Sequence, residues 1–172
     1  METVARFERV SEARFVEDWM ASMGGAEQAA RTVYASLRLP ERATSGSAGY
    51  DFFAPAALTL APGRSVRVPT GVRVRIAAGW LLAIFPRSGL GFRYRLQLDN
   101  TVGIVDSDYY GAENEGHILI QVTNASHEKK PLSLKAGEGF AQGIFLPFGI
   151  VEGDRAEDVR RGGFGSTTPR QE

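Results

Sequence analysis

Two short segments of the sequence carry residue types that bind phosphate groups. Arg87, Ser88 and Gly89 offer a guanidinium, a hydroxyl and a backbone N–H that a ligand can approach closely, which together can hold a phosphate chain. The run GGFGST at 162–167 offers an aromatic ring on a glycine-rich backbone, followed by two hydroxyls. Such a run can close over a base and its phosphates. The two segments together indicate a ligand with phosphates and an aromatic base.

The acidic residue best placed for chemistry is Asp106. It follows the apolar pair Ile104 and Val105, so its carboxylate is expected at the end of a strand, where it can orient a water molecule. Asp108, two residues further on, shares the strand face of Asp106 unless a turn separates the two.

Several other chemistries are excluded by the sequence. No G-x-x-x-x-G-K-[ST], G-x-G-x-x-G or G-x-S-x-G pattern occurs, and the chain has no cysteine. His117 and His127 are its two histidines, without the spacing of a metal-ligand pair. We interpret each of them as a surface or turn residue. Catalysis must therefore depend on carboxylates, hydroxyls, arginines and backbone amides.

Composition narrows the class of protein. The 172 residues include 20 basic and 20 acidic side chains, so the formal net charge is zero. Proteins that coat nucleic acid or anionic membranes need a basic excess, so we expect neither partner. The longest apolar runs, such as 80–85, are too short to span a bilayer, and no signal peptide opens the chain. We expect a soluble protein of the cytoplasm, or of a host compartment if a virus or phage supplied it.

The elements that must position these residues begin with a helix over residues 10–31. Its apolar stripe consists of five side chains: Phe15, Val16, Trp19, Met20 and Met23. Ser11 can cap the start, Gly24 and Gly25 stop the helix, and residues 26–31 can add a short second turn. We expect this helix to dock on the core or on a neighbouring subunit.

From residue 32 onward the sequence pattern favours strands. The even positions from Val66 to Ile76 hold Val or Ile except for Thr70, and Pro69 and Gly71 interrupt the run, which predicts two strands or one kinked strand. The further predicted strands are 32–39, 80–85, 95–98, 103–105, 117–123, 131–134 and 143–148. Short strands between Gly, Pro, Asn and Asp turns are typical of a sandwich or jelly-roll-like barrel. The tail beyond about residue 150 is predicted to be a flexible arm.

The polar, glycine-containing segments resemble, in order, the five motifs of the trimeric deoxyuridine triphosphatase (dUTPase) family. They are TSGSAGYD at 44–51, PRSGLG at 86–91, DNTVGIVDSDY at 99–109, AQGIF at 141–145 and GGFGST at 162–167. One such motif would be weak evidence, but five in order are specific, and the resemblance covers about residues 32–168. The resemblance implies a mostly β, jelly-roll-like domain at 32–150, an N-terminal helical extension at 1–31, and a C-terminal arm at 151–172.

The resemblance also implies an activity and an assembly. The expected reaction converts dUTP and water to dUMP and pyrophosphate, which keeps uracil out of DNA and supplies dUMP for thymidylate synthesis. The expected assembly is a homotrimer with active sites between subunits and the arm donated by a neighbour. The expected cofactor is Mg²⁺ held by the triphosphate, without a direct protein ligand and with Asp51 near its water shell.

Roles follow residue by residue from the same resemblance. Asp106 orients the attacking water, and Tyr109 lies under the deoxyribose and excludes a 2′-hydroxyl. The hairpin 100–106 accepts uracil, largely through backbone groups, with contacts from Asn100, Gly103, Ile104 and Val105. Contacts to the phosphates come from Arg87, Ser88, Gly89 and Gln142. The arm adds Phe164 on the uracil together with Gly165, Ser166 and Thr167, and either Arg161 or Arg160 meets the terminal phosphate.

Three features depart from the family pattern. Gly139 stands where motif four usually has a basic residue, and Val159 precedes two arginines where motif five usually begins Arg-Gly. The segment 110–117 is a few residues longer than expected, and residues 1–31 lie outside the resemblance.

Two rival functions remain in view. The first rival is the related dCTP deaminase family, which shares this fold. Its deamination chemistry resembles one that needs a glutamate in the strand after motif three to shuttle protons. This chain has Gln121 in that strand, and an amide cannot transfer protons at ordinary pH. A regulatory or binding module is the second rival, with a protein partner bound through residues 1–31. An apolar stripe that stays exposed on the helix would favour that partner.

Overall fold

Four antiparallel sheets form the framework of residues 2–156, the part of the chain that the computed structural model describes. The strands are β1 (Ala5–Arg9), β2 (Tyr50–Phe53), β3 (Leu58–Leu60), β4 (Ser65–Pro69), β5 (Val72–Ile76), β6 (Trp80–Pro86), β7 (Leu96–Leu98), β8 (Gly103–Val105), β9 (Leu119–Asn124), β10 (Leu132–Leu134) and β11 (Gly139–Pro147). Three helices accompany them: α1 (Glu12–Ser22), α2 (Glu27–Ala35) and α3 (Ser88–Tyr94). A 3₁₀ helix at Ser107–Gly111 follows β8.

The largest sheet has the order β2-β11-β6-β8, and a second has the order β4-β9-β7. β10 pairs with β3, and β1 pairs with β5 from Ala5 opposite Ile76 to Arg9 opposite Val72. The mostly β, jelly-roll-like fold class predicted from the sequence is confirmed. In the described part of the chain, no helix is long and apolar enough to cross a membrane.

The alternating pattern around Gly71 forms two strands, as predicted. Val72, Val74 and Ile76 of β5 are buried, and Arg75 between them is exposed. These side chains join a core that includes Phe52, Phe140 and other residues of both larger sheets. Burial of one such large side chain stabilises the fold by about 1.5–3 kcal/mol. The regular burial period of two explains why this segment is extended.

α1 and α2 pack around a second, smaller core. Its buried members are Val10, Phe15, Val16, Trp19, Ala30 and Leu37. The side chain of Ser11 caps α1 by accepting a hydrogen bond from the backbone N–H of Arg14 at 3.1 Å, as the sequence predicted. The apolar stripe is thus covered by the chain itself, except that Met20 is 39% exposed. The condition that would have favoured a protein partner at residues 1–31 is not met by this face of α1.

The strand predicted at 32–39 is wrong, because α2 continues to Ala35. The Tyr34 ring lies 5.6 Å from that of Phe15, and its hydroxyl donates to the Val10 carbonyl at 2.7 Å. This packing holds β-favouring residues such as Val33 in a helix, since tertiary contacts override propensity. The predicted boundary between extension and β domain at residue 31 therefore falls inside α2.

Candidate active site

The β2-β11-β6-β8 sheet brings four of the five motif segments together. Gln142 on β11 lies opposite Asp51 on β2 and Phe85 on β6, and Ala141 lies opposite Pro86. Gly103 on β8 pairs with Ile84 on the other side of β6. Segments far apart in sequence thus become neighbours through strand register.

Arg87, at the junction of β6 and α3, forms the centre of a polar cluster. Its Nε lies 3.2 Å from Asp51 Oδ1, and its Nη1 donates to the Gly139 carbonyl at 3.4 Å. The Arg87 side chain remains 43% exposed, so the guanidinium is held in place while it is still accessible to a ligand. Ser88 and Gly89, which begin α3, are exposed beside it.

The structure gives a reason for the glycine at position 139. A Cβ there would lie 2.6 Å from Arg87 Nη1 and 3.1 Å from Arg87 Cδ. Arg87 therefore occupies the space that a side chain at 139 would need. Motif four has a glycine instead of a basic residue at 139, and the motif-two arginine, Arg87, uses the space that this glycine leaves.

Gln142 is fixed by a similar close fit. Its Nε2 donates to the Pro86 carbonyl at 3.2 Å. A Cβ at Gly49 would lie 2.8 Å from the Gln142 Oε1, so the glycine of motif one leaves room for this amide. Motifs one, two and four thus form a single surface with one carboxylate, one guanidinium and one amide.

Motif three connects the two larger sheets. β7 pairs with β9 whereas β8 pairs with β6, so the segment predicted as a hairpin passes from one sheet to the other through a turn at 99–102. Thr101 in that turn has φ 66°. The backbone of Ile104 is in β8 and its side chain is 45% exposed, while Gly103 and Val105 are buried.

Asp106 follows β8 directly and is half-buried at the start of the 3₁₀ helix. Asp108 lies within that helix and is exposed, so the two carboxylates do not share a strand face. The turn that the sequence allowed between Asp106 and Asp108 is the start of this 3₁₀ helix. The predicted position of Asp106 at a strand end is confirmed.

Tyr109 is almost fully buried, with 1% of its surface exposed. Its hydroxyl donates to the His117 carbonyl at 2.8 Å and accepts from Asn114 Nδ2 at 2.8 Å. Tyr109 and Asn100 line a cleft of about 490 Å³ together with Asp99 and Gln121. Arg87 and Gln142 are not among the described residues that line it.

Gln121, the residue that separates the two rival enzyme classes, faces this cleft. Its Nε2 donates to Asp99 Oδ2 at 2.6 Å, and its Oε1 accepts from Arg67 Nε at 3.1 Å. Both ends of the amide are therefore engaged in hydrogen bonds.

The sequence interpretation of His117 as a surface or turn residue is wrong. Its side chain is fully buried, at 0% exposure. Gly71 N–H donates to its Nε2 at 2.8 Å, and its Nδ1 lies 2.6 Å from Asp18 Oδ2 on α1. The apolar run that follows His117 is the one local sequence signal that this histidine is buried. No local signal marks Asp18 as its partner, because the two residues are 99 positions apart.

The carboxyl of Asp18 has an unusual environment. Burial alone would raise its pKa, but hydrogen bonds from His117 and Arg14 outweigh burial and hold the pKa below the usual value. Arg14 donates to both carboxylate oxygens, at 2.9 and 2.6 Å. The carboxylate is thus stabilised in its charged form next to the cleft.

The predicted residues of motif five lie outside the described residues. They are Arg160, Arg161, Phe164, Gly165, Ser166 and Thr167. Within residues 2–156, no group of three or more His, Asp or Glu side chains is arranged to hold a metal ion.

Comparisons with known proteins agree with the arrangement of these segments. The dUTPase family model matches residues 35–168. The deoxyuridine 5'-triphosphate nucleotidohydrolase of Lactococcus lactis is 39% identical over 136 residues, which is 77% of this chain and 89% of the relative. The crystal structure of dUTPase from Streptococcus mutans superposes with a TM-score of 0.63 at 32% identity and covers 86% of this chain and 98% of its own.

A further solved structure shares the fold alone. It is a mutant dUTPase from phage phi11 of S. aureus, with a TM-score of 0.62 at 19% identity, covering 91% of this chain and 98% of its own, and it reveals the coordination of a structural Mg(II) ion in that protein. The family match spans most of the chain, and the resemblance read from the five motifs is confirmed. The chain therefore belongs to the dUTPase family, hydrolases that act on deoxyuridine 5'-triphosphate.

Proposed function

We propose that this dUTPase forms dUMP and pyrophosphate by attack of a water molecule, oriented by Asp106, on the α-phosphorus of dUTP. The observation that supports this most is the position of Asp106, half-buried between β8 and the 3₁₀ helix that carries Tyr109. A carboxylate anchored at a strand end can hold a water in one orientation and accept its proton. Hydrolysis of a phosphoanhydride needs a positioned water and charge neutralisation more than a covalent nucleophile.

The phosphate chain is proposed to bind at the cluster around Arg87. Its guanidinium is positioned by Asp51 and the Gly139 carbonyl yet accessible, and Ser88, Gly89 and Gln142 add neutral donors. A guanidinium can bind phosphate oxygens through two parallel hydrogen bonds. The cluster therefore supplies charge where the leaving pyrophosphate gains it.

The deoxyuridine is proposed to bind at the cleft beside motif three. Asn100 and the backbone of β8 would hydrogen-bond to the edge of the uracil ring. A base with an amino group at position 4, such as cytosine, would be rejected because its amino donor would face a donor of the protein. Tyr109, whose hydroxyl has two partners, would support the deoxyribose. A ring fixed in this way can exclude a 2′-hydroxyl sterically.

Mg²⁺ is proposed as the cofactor, carried by the triphosphate. Mg²⁺ usually keeps several of its waters when it binds substrate phosphates, and Asp51 is the carboxylate of the cluster that such waters could reach. Asp51 is proposed to contact the water shell of the ion. When bound, the ion would neutralise charge on the phosphate oxygens.

A homotrimer with sites between subunits is proposed as the assembly. Two observations support it: the phosphate cluster and the nucleoside cleft are separate surfaces in the described part of one chain, and large apolar side chains are exposed at Ile104, Ile150 and Val151. Exposed apolar patches commonly mark interfaces. The arm from a neighbour would add Phe164, Ser166, Thr167 and an arginine. We propose that the reaction takes place in the cytoplasm, or in a host compartment if a virus or phage supplied the protein.

The experiment compares Asp106→Asn with the wild type for pyrophosphate release from dUTP, dCTP, dTTP and UTP, with and without Mg²⁺. An amide keeps the shape of the carboxylate but cannot accept a proton, so kcat for dUTP should fall about 10²–10⁴-fold. Binding of a non-hydrolysable dUTP analogue should persist by calorimetry.

A matched control is Glu113→Gln, the same chemical change at an exposed position of the following segment. Its kcat should stay within twofold of the wild type. Near-normal turnover in Asp106→Asn would overturn the assignment of the base, and ammonia release from dCTP would favour the deaminase.

A further inference from the structure

The N-terminal extension reaches the proposed nucleoside cleft. Asp18 of α1 lines the same cleft as Asn100 and Tyr109, and its side chain is 13% exposed. A residue outside the five motifs is therefore next to the surface on which the deoxyribose is proposed to lie.

His117 connects Asp18 to the rest of the molecule. Because the Gly71 N–H donates to Nε2, that nitrogen must be the acceptor, so the proton is on Nδ1 and is donated to Asp18 Oδ2 at 2.6 Å. The imidazole is thus fixed from both sides, by α1 and by the turn between β4 and β5. With no exposed surface, it cannot rotate without breaking one of these bonds.

The main chain of the same residue holds Tyr109. The carbonyl of His117 accepts from the Tyr109 hydroxyl at 2.8 Å and from Asn114 Nδ2 at 3.2 Å. Asn114 Nδ2 also donates to the Tyr109 hydroxyl, at 2.8 Å. The position of the phenol ring therefore depends on where residue 117 lies.

A second contact ties the same segment to α1. Glu115 accepts from the Ser11 backbone N–H at 2.8 Å and from the Ser11 hydroxyl at 2.6 Å. Segment 110–117, longer than expected for the family, is thus bound to α1 at two points, Glu115 and His117. The extra residues and the extra helix belong to one structural unit.

We propose that Asp18 and His117 are positioning residues for Tyr109, so that α1 helps to set the discrimination between dUTP and UTP. The inference rests on the proposed role of Tyr109 under the deoxyribose. Productive geometry has to be held within about 0.5 Å by the groups behind a functional side chain. Loss of the Asp18 anchor lets residue 117 and the Tyr109 ring shift, and the 2′-hydroxyl is then accommodated.

The test measures kcat/KM for dUTP and for UTP in the full-length protein. Asp18→Ala removes the acceptor of the His117 Nδ1–H and should lower the dUTP/UTP ratio about tenfold, while hydrolysis of dUTP persists. Asp18→Asn keeps an oxygen at the same place and should retain most of the ratio. Glu17→Ala is the matched control, because Glu17 is 71% exposed on the same helix and pairs with Arg14 as Asp18 does.

Each outcome has one meaning. A wild-type ratio in folded Asp18→Ala, or an equal fall in Glu17→Ala, would overturn the positioning role. Absence of dUTP hydrolysis in the wild type would instead overturn the proposed function.

A measurement on the wild type covers the case in which Asp18→Ala does not fold. Binding of dUMP against Tyr109 should shift the His117 Nδ1–H proton resonance in NMR spectra, since Asp18, which accepts that proton, lines the same cleft. His127 is exposed, so its ring protons exchange rapidly and do not interfere. No shift at saturating dUMP would overturn the proposal.

Discussion

The substitution Gly71→Ala tests how tightly the N-terminal helices are packed onto the β domain. Gly71 has φ +72° in the turn between β4 and β5, and an added Cβ would overlap Leu37 Cδ1 and lie 3.2 Å from Phe15 Cδ2. Two penalties therefore add. A non-glycine residue in the left-handed region costs roughly 1–2 kcal/mol, and displacement of packed neighbours costs about 1–3 kcal/mol.

The expected loss of unfolding free energy is thus about 2–5 kcal/mol, on the sum of these two effects. Gly63→Ala separates them, since Gly63 has φ +74° and no heavy atom within 4 Å of its added Cβ. The control should lose only the conformational part, about 1–2 kcal/mol. Gly71→Ala should exceed it by about 1–3 kcal/mol.

The assay is urea unfolding at one fixed protein concentration, because stability of an oligomer depends on concentration. Trp19 belongs to the smaller core and Trp80 packs on the larger one, so fluorescence measured in a Trp80→Phe background reports on the helices. Equal losses in the two variants would refute the reasoning. Leu37 and Phe15 would then yield at no energetic penalty, and the helices would not be held by close packing at this turn.

Three further predictions follow from the structure and the proposed function. Hydrogen bonds from His117 and Arg14 outweigh burial and lower the pKa of Asp18 from 3.8. Its stabilisation is therefore full above about pH 4 and is lost as the pH falls through the lowered value, so the Tm difference between wild type and Asp18→Asn should shrink below about pH 4. Light scattering should give a mass of about three times 18.7 kDa, and a fully active monomer would contradict sites between subunits. Removal of residues 160–172 should leave a folded protein that binds a dUTP analogue weakly and turns over poorly, because stacking on the base is worth about 1–3 kcal/mol; full activity would show that motif five has no role in catalysis.

The strands and motifs with a local signal could be predicted from the sequence. The even-numbered apolar positions of β5 and the position of Asp106 after β8 are both found where the pattern placed them. Each depends on a burial period or a residue type that is visible within ten residues of chain. The five segments together indicated the family because their order, rather than any single residue, is specific.

The elements that depend on distant contacts could not be predicted. Val33 and Tyr34 have strand propensity, but the bond from Tyr34 to Val10 and the packing on Phe15 hold them in α2. His117 looked like an isolated histidine because its partners, Gly71 and Asp18, are 46 and 99 residues away. Neither separation leaves a trace in local periodicity.

The pairing of β1 with β5 has a consequence for the solubility of shortened forms of the protein. Among the strands that the structure describes, β5 hydrogen-bonds to β1 alone, over five residue pairs. A form that begins at the family match, near residue 35, would lack β1 and expose the backbone N–H and C=O groups of an apolar strand. Unprotected strand edges of this kind recruit strands from other molecules and lead to aggregation. β1 thus covers one edge of β5, and we expect forms that lack residues 5–9 to aggregate through that edge.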